Sequence, residues 1–152
     1  MLALNANEKT VVKLINFDGS YFLNDKDTLI AVDEVYSSPE LYAFYYDEGA
    51  DPELRAKLTE KSDIFSLGLI FHKYLSGELP IGIEIPKEIK ATDLHCSQVL
   101  LCGGKLEISN KITGSIERLL IQDMIELDPQ KRPSALQVLM RLKGVLFKRE
   151  FY

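Results

Sequence analysis

Two side-chain carbonyl groups flank an aromatic ring in Asn16-Phe17-Asp18, and Gly19 follows directly, at the end of the apolar run Val11-Val12-Lys13-Leu14-Ile15. Oxygen donors at a strand end, beside a glycine, are a common place for ligand contact, and the same residues also make an ordinary turn. A second group, His95-Cys96 with Cys102, invites a metal site or a disulfide. Its spacing fits no standard zinc pattern and no fourth ligand accompanies it, so buried free thiols without chemistry are expected.

The setting for these residues follows from composition. At 152 residues, 46% hydrophobic and 27% charged, the chain fits one globular domain with a real core. A formal net charge of −5 argues against a broad nucleic-acid or anionic-membrane surface, which needs clustered Lys and Arg; only Lys143 to Arg149 is locally basic. No apolar run reaches the roughly 20 residues that span a bilayer, and Met1-Leu-Ala-Leu-Asn-Ala6 lacks the cationic start of a signal peptide. A cytoplasmic protein is expected, with neither nucleic acid nor membrane as partner.

The elements that must position any site centre on one helix, Thr59 to Gly77. Thr59 can cap its first turn, Glu60 and Asp63 suit the positive end of its dipole, and Gly77 can take the left-handed cap. Ile64, Leu67, Phe71, Tyr74 and Leu75 share one face while Phe65, Leu69 and Ile70 fill the sides, so the helix should be buried. Gly68 costs about 1 kcal/mol against Ala in a helix, which implies another backbone passing close.

Around it the pattern predicts a hairpin of Leu2/Leu4 with Val11 to Ile15, then a loop over 20–35 with at most a short strand at 29–32. A short helix opens at Tyr36-Ser-Ser-Pro-Glu40, and 47–57 is polar with at most one helical turn. A Gly/Pro-punctuated connection over 79–86 leads to a helix at Asp93 to Leu101, ended by Gly103-Gly104, and 105–112 is extended or irregular. An amphipathic helix at Ile116 to Leu127 should face inward with Ile116, Leu119, Leu120, Met124 and Leu127. The capping box Ser134-Ala-Leu-Gln137 opens a last helix to about Leu146.

Four blocks in order resemble the C-terminal lobe of the protein-kinase family. Val12 to Asp18 is similar to the strand entering its Asp-Phe-Gly motif, and Tyr36-Ser-Ser-Pro-Glu40 resembles Ala-Pro-Glu. Ser62-Asp-Ile-Phe-Ser-Leu-Gly68 resembles the Asp-x-Trp-Ser-x-Gly start of the central helix, and Leu127-Asp-Pro-Gln-Lys-Arg-Pro133 the late Asp-Pro-x-x-Arg-Pro. The resemblance implies a mainly α fold with a short N-terminal β-hairpin, a partial kinase-like domain over 1–147 and a tail at 148–152. It begins just after the family's catalytic loop, so the Gly-rich loop, the strand Lys and the His-Arg-Asp loop are expected outside these residues.

Roles carry over residue by residue. Asn16 stands where the family has its magnesium-holding Asp and Asp18 where it has Gly, leaving Asn16 and Asp18 as weak cofactor contacts; an amide oxygen can ligate Mg²⁺ but lacks the charge a hard cation prefers. Val32 and Asp33 replace its Gly-Thr pair. The resemblance implies an ion pair of Glu40 with Arg132 that pins the activation segment, and a role for Asp63 in anchoring the catalytic loop. Thr28, Tyr36, Ser37 and Ser38 occupy activation-segment positions and are candidate phosphorylation sites.

The function this implies is a pseudokinase-type regulatory, scaffolding or protein-binding module, not catalytic as an isolated chain, with ATP and Mg²⁺ only in a complete kinase. The alternatives are a C-terminal fragment of a longer active Ser/Thr or Tyr kinase and an unrelated helical interaction domain. Uncovered flanks at Phe65, Ile70 and Phe71 should favour a protein partner or self-association, including a dimer formed by exchange of the hairpin.

Overall fold

Strand β1 (Leu2–Leu4) pairs antiparallel with β2 (Thr10–Val12), Leu2 opposite Val12 and Leu4 opposite Thr10. The second strand therefore begins at Thr10, and the rest of the anticipated strand, Lys13 to Ile15, lies outside the described residues. The computed structural model describes residues 2–4, 10–12, 30, 32–47, 51–87 and 94–149. It divides the chain into two units, Met1–Ala31 and Val32–Tyr152.

The second unit is helical. Ser38 caps α1 (Pro39–Tyr46), its Oγ accepting the Leu41 N–H at 3.4 Å, and Pro39 sits where a missing N–H costs nothing. Asp51 caps α2 (Pro52–Lys57), a fuller helix than the single turn expected there. The central helix α3 (Glu60–Ser76) has Thr59 accepting the Lys61 N–H at 3.2 Å and ends at Gly77, whose φ of 82° is open to glycine without strain.

Which face of α3 turns inward differs from the expectation. Ser62, Ile64, Phe65, Gly68, Leu69, His72 and Ser76 are buried, whereas Tyr74 is 85% exposed and Ile70 and Leu75 are about half exposed. The bare Gly68 sets this rotation. A β-carbon there would lie 2.8 Å from Ile125 Cγ2 and 2.9 Å from Met124 Cβ, so α5 (Ser115–Met124) can approach only across the glycine. The same rotation buries Phe65 completely, contrary to the uncovered flank expected of it, and leaves Phe71 half-buried.

The core lies on both sides of α3. Phe65 and Leu69 meet Cys96, Leu100, Ile108, Ile112, Ile121 and Ile125 on one side, and Ile64 meets Leu120, Met124 and Val138 on the other. Leu119 and Leu127, expected on the inward face of α5, are exposed, because Ile121 and Ile125 take those contacts instead. The connection after α3 contains a strand the sequence did not announce, β3 (Ile81–Ile83), paired antiparallel with β4 (Lys105–Glu107). Between them α4 (Cys96–Leu101) leads to Gly103 at φ 87°.

A 3₁₀ turn at Pro129–Lys131, capped by Asp128, precedes α6 (Ala135–Arg149). The capping box is present, with the Ser134 N–H donating to Gln137 Oε1 at 2.7 Å and the Gln137 N–H to Ser134 Oγ at 3.3 Å. The helix runs to Arg149, past the expected end near Leu146, and the lone Gly144 does not break it. Among the described residues no helix is long and apolar enough to cross a membrane.

Candidate functional site

Glu40 and Arg132 come together from 92 residues apart. Asp33 shapes the approach to Glu40, its carboxylate accepting the Val35 and Tyr36 N–H groups at 2.9 and 3.2 Å, and the Ser38 cap then sets Glu40 in the first turn of α1, side chain inward. Arg132 is delivered by the 3₁₀ turn, whose proline-led geometry extends the backbone at that residue.

The contact is a planar fork on a carboxylate. Arg132 Nη1 donates to Glu40 Oε1 at 2.7 Å and Nη2 to Oε2 at 2.8 Å. The remaining guanidinium donors reach carbonyl oxygens: Nε that of Glu126 at 2.7 Å, Nη1 that of Lys61 at 3.0 Å, Nη2 that of Leu127 at 3.0 Å. All the donors of the side chain are thereby used. Ser62 Oγ donates to Glu40 Oε1 at 2.8 Å, Lys61 Nζ donates to the Arg132 carbonyl at 2.7 Å, and the guanidinium lies 5.0 Å from the centre of the Phe65 ring.

Arg132 is 2% and Glu40 5% exposed, so water contributes little. Burial alone would raise the Glu40 pKa, but the hydrogen bonds and charge of Arg132, with help from Ser62, hold it below the ordinary range. With every donor and both carboxylate oxygens committed, the pair has nothing left to offer a substrate. It ties the first turn of α1, the start of α3 and the turn after α5 to one point, and so it positions rather than reacts.

The other candidate residues are dispersed. Asp63 lies in the first turn of α3, exposed and without a hydrogen-bond partner among the described residues, and the crowding of protein around it raises its carboxyl pKa. Tyr36 is half-buried against the core. Ser37 and Ser38 are 4% and 0% exposed, with Ser38 Oγ engaged as the α1 cap and the Ser37 carbonyl accepting from Ser97 Oγ. Neither hydroxyl is therefore presented to a modifying enzyme in this fold. Asn16, Asp18 and Thr28 lie outside the described residues.

Cys96 is buried and Cys102 half-buried, both free, and burial pushes the Cys96 thiol up to about 11. Among the described residues no three His, Cys, Asp or Glu side chains converge to hold a metal ion, and no step of metal chemistry is assigned to them. The sequence reading missed Ser62 and Lys61 as members of the ion-pair cluster. Their signal was position, since the first turn of α3 is where Arg132 must enter.

Residues 2–142 match the protein kinase domain family. The chain belongs to the protein kinase family. Its mainly helical architecture with short antiparallel strands is that of a kinase-like C-terminal lobe. Calcium-dependent protein kinase 1 of Arabidopsis thaliana is 31% identical over 142 residues, covering 91% of this chain and 20% of that protein. The calcium and calcium/calmodulin-dependent serine/threonine-protein kinase DMI-3 of Medicago truncatula is 30% identical over 70% of this chain and 20% of its own length. The serine/threonine-protein kinase VPS15 of Saccharomyces cerevisiae is 28% identical over 77% of this chain and 8% of its own length. The kinase-family chain thus spans a fifth or less of these relatives.

Proposed function

We propose that these residues act as a kinase-like C-lobe with a regulatory, scaffolding or protein-binding role and do not transfer phosphate by themselves. One contrast supports the reading. The buried Glu40–Arg132 clamp, which maintains the fold, is complete, while Asn16 stands at the position where the resemblance places the magnesium-holding Asp. Phosphoryl transfer rests on positioned phosphates, metal ions and a base. Residues 1–152 contain neither a His-Arg-Asp loop nor a Gly-rich phosphate loop. The purified chain, incubated with labelled ATP, Mg²⁺ and generic protein substrates, should transfer no phosphate above a no-protein control, and transfer above that level overturns the proposal.

A second reading has its own support: the relatives are serine/threonine kinases and this chain covers only a small share of each. Under it, these residues are one part of a longer kinase that binds ATP and Mg²⁺ elsewhere. The intact mass of the protein from its native source separates the two readings, and a longer product with a His-Arg-Asp loop upstream selects the second.

A further inference from the structure

At the opposite end of α3 from Arg132, a second buried polar cluster is built around an imidazole. His72 is 0% exposed. Its Nε2 accepts the backbone N–H of Ser109 at 3.0 Å, which only an unprotonated ring nitrogen can do, so the ring proton resides on Nδ1 and is donated to the Glu78 carbonyl at 2.7 Å. One ring therefore joins α3, the turn beyond Gly77, and the turn Ser109–Ile112 that leads into α5. Ser76 Oγ braces the same corner, 2.7 Å from the His72 carbonyl oxygen and accepting the Glu78 N–H at 3.2 Å.

The charged groups facing the ring come from each neighbouring element. The Glu78 carboxylate accepts from Ser109 Oγ at 2.7 Å and from Lys111 Nζ at 2.9 Å. Arg118 of α5 donates to the carbonyls of Ser109, Ile112 and Ile108. Burial is the largest influence on the imidazole and lowers its pKa; the Glu78 carbonyl and carboxylate pull it up, and Arg118 pushes it further down.

We propose that His72 is an acid-released latch: neutral, it holds the Ser109–Ile112 turn against the end of α3, and protonated, it releases that turn. A proton added at Nε2 would face the Ser109 N–H, donor against donor, in place of the bond it breaks. Because the folded ring resists protonation, the unfolded state takes up the proton first. The stability the latch supplies is therefore present above the ordinary imidazole value of about 6.5 and declines as pH falls below it.

The test is an NMR titration of the full chain from pH 8 to 4.5, following both imidazoles, with the His95→Gln variant assigning the other ring, alongside melting curves of the native chain and His72→Gln. The expected result is an Nδ1–H tautomer for His72, a midpoint below about 6.5 with the Ser109 amide moving at the same midpoint, and a loss of Tm between pH 7 and 5 that is smaller in His72→Gln. An Nε2–H tautomer, a midpoint at or above 6.5, or an equal loss in the variant overturns the proposal. If His72→Gln does not fold, the native-chain titration decides.

Discussion

At the scale of single residues, Arg132 has little freedom to change. A buried guanidinium is costly unless all its donors are met, and here two go to Glu40 and three to backbone carbonyls. Arg132→Ala would leave the Glu40 carboxylate buried without its counter-charge, an expected loss of about 3–5 kcal/mol read from chemical denaturation. Arg132→Lys keeps the charge but not the fork, and should recover only part of that. A melting temperature for Arg132→Ala within a degree or two of the parent would refute the assignment. The sign of the pH response follows from the depressed Glu40 pKa: the pair contributes fully above the ordinary carboxyl value of 4.5 and is lost as pH falls through the lower folded value. Acid melting by Glu40 should thus set in below pH 4.5 in the native chain, at lower pH than any effect of His72.

At the scale of elements, the close approach of α3 and α5 fixes the core. Gly68→Ala would gain about 1 kcal/mol of helix propensity, but the new methyl would meet Ile125 Cγ2 and Met124 Cβ at under 3 Å. Neither atom is the free end of a flexible side chain, so overpacking of about 1–3 kcal/mol should win and the variant should unfold at lower urea concentration than the parent. A more stable variant would show that α5 can retreat. The helices were legible because their ends carry local signals: Thr59 and the Ser134/Gln137 box act through hydrogen bonds, Gly77 through its left-handed backbone and Pro39 through its fixed φ. Strand β3 was not, and β4 read only as extended or irregular, since three residues carry no readable period and their pairing joins positions far apart in the chain, Ile81 with Glu107 and Ile83 with Lys105. The rotation of α3 was likewise hidden. Apolar residues wrap the helix, and only the positions of α4, α5 and the 108–112 segment decide that Phe65 rather than Tyr74 is covered. The clamp was legible through the family resemblance of its two motifs, whereas His72 lies in no motif and is revealed only by its bonds to Glu78 and Ser109.

At the scale of the whole molecule, the described residues leave large apolar side chains on the surface. Helix α6 rests on the core through Val138 and the half-buried Leu142, yet Leu136, Leu139 and Met140, at i, i+3 and i+4 on its other side, are 67%, 47% and 62% exposed. Tyr74 and Ile70 of α3 and Leu119 of α5 are exposed as well. An apolar stripe such as that of Leu136, Leu139 and Met140 is rarely left in water, which supports the proposal of a protein partner or self-association and moves its location from the buried Phe65 to α6. A net charge of −5 opposes association of two copies at low salt and is screened at high salt. The chain at micromolar concentration should therefore show a weight-average mass above the monomer by light scattering, rising with added salt. The double variant Leu136→Glu, Met140→Glu places two more negative charges on the exposed stripe while leaving Val138 and Leu142 in place, and should return the mass to that of a monomer without lowering Tm by more than a few degrees. A native chain that stays monomeric at every salt concentration would assign the stripe to a different protein or to no partner, and an unchanged mass in the double variant would move the contact off α6.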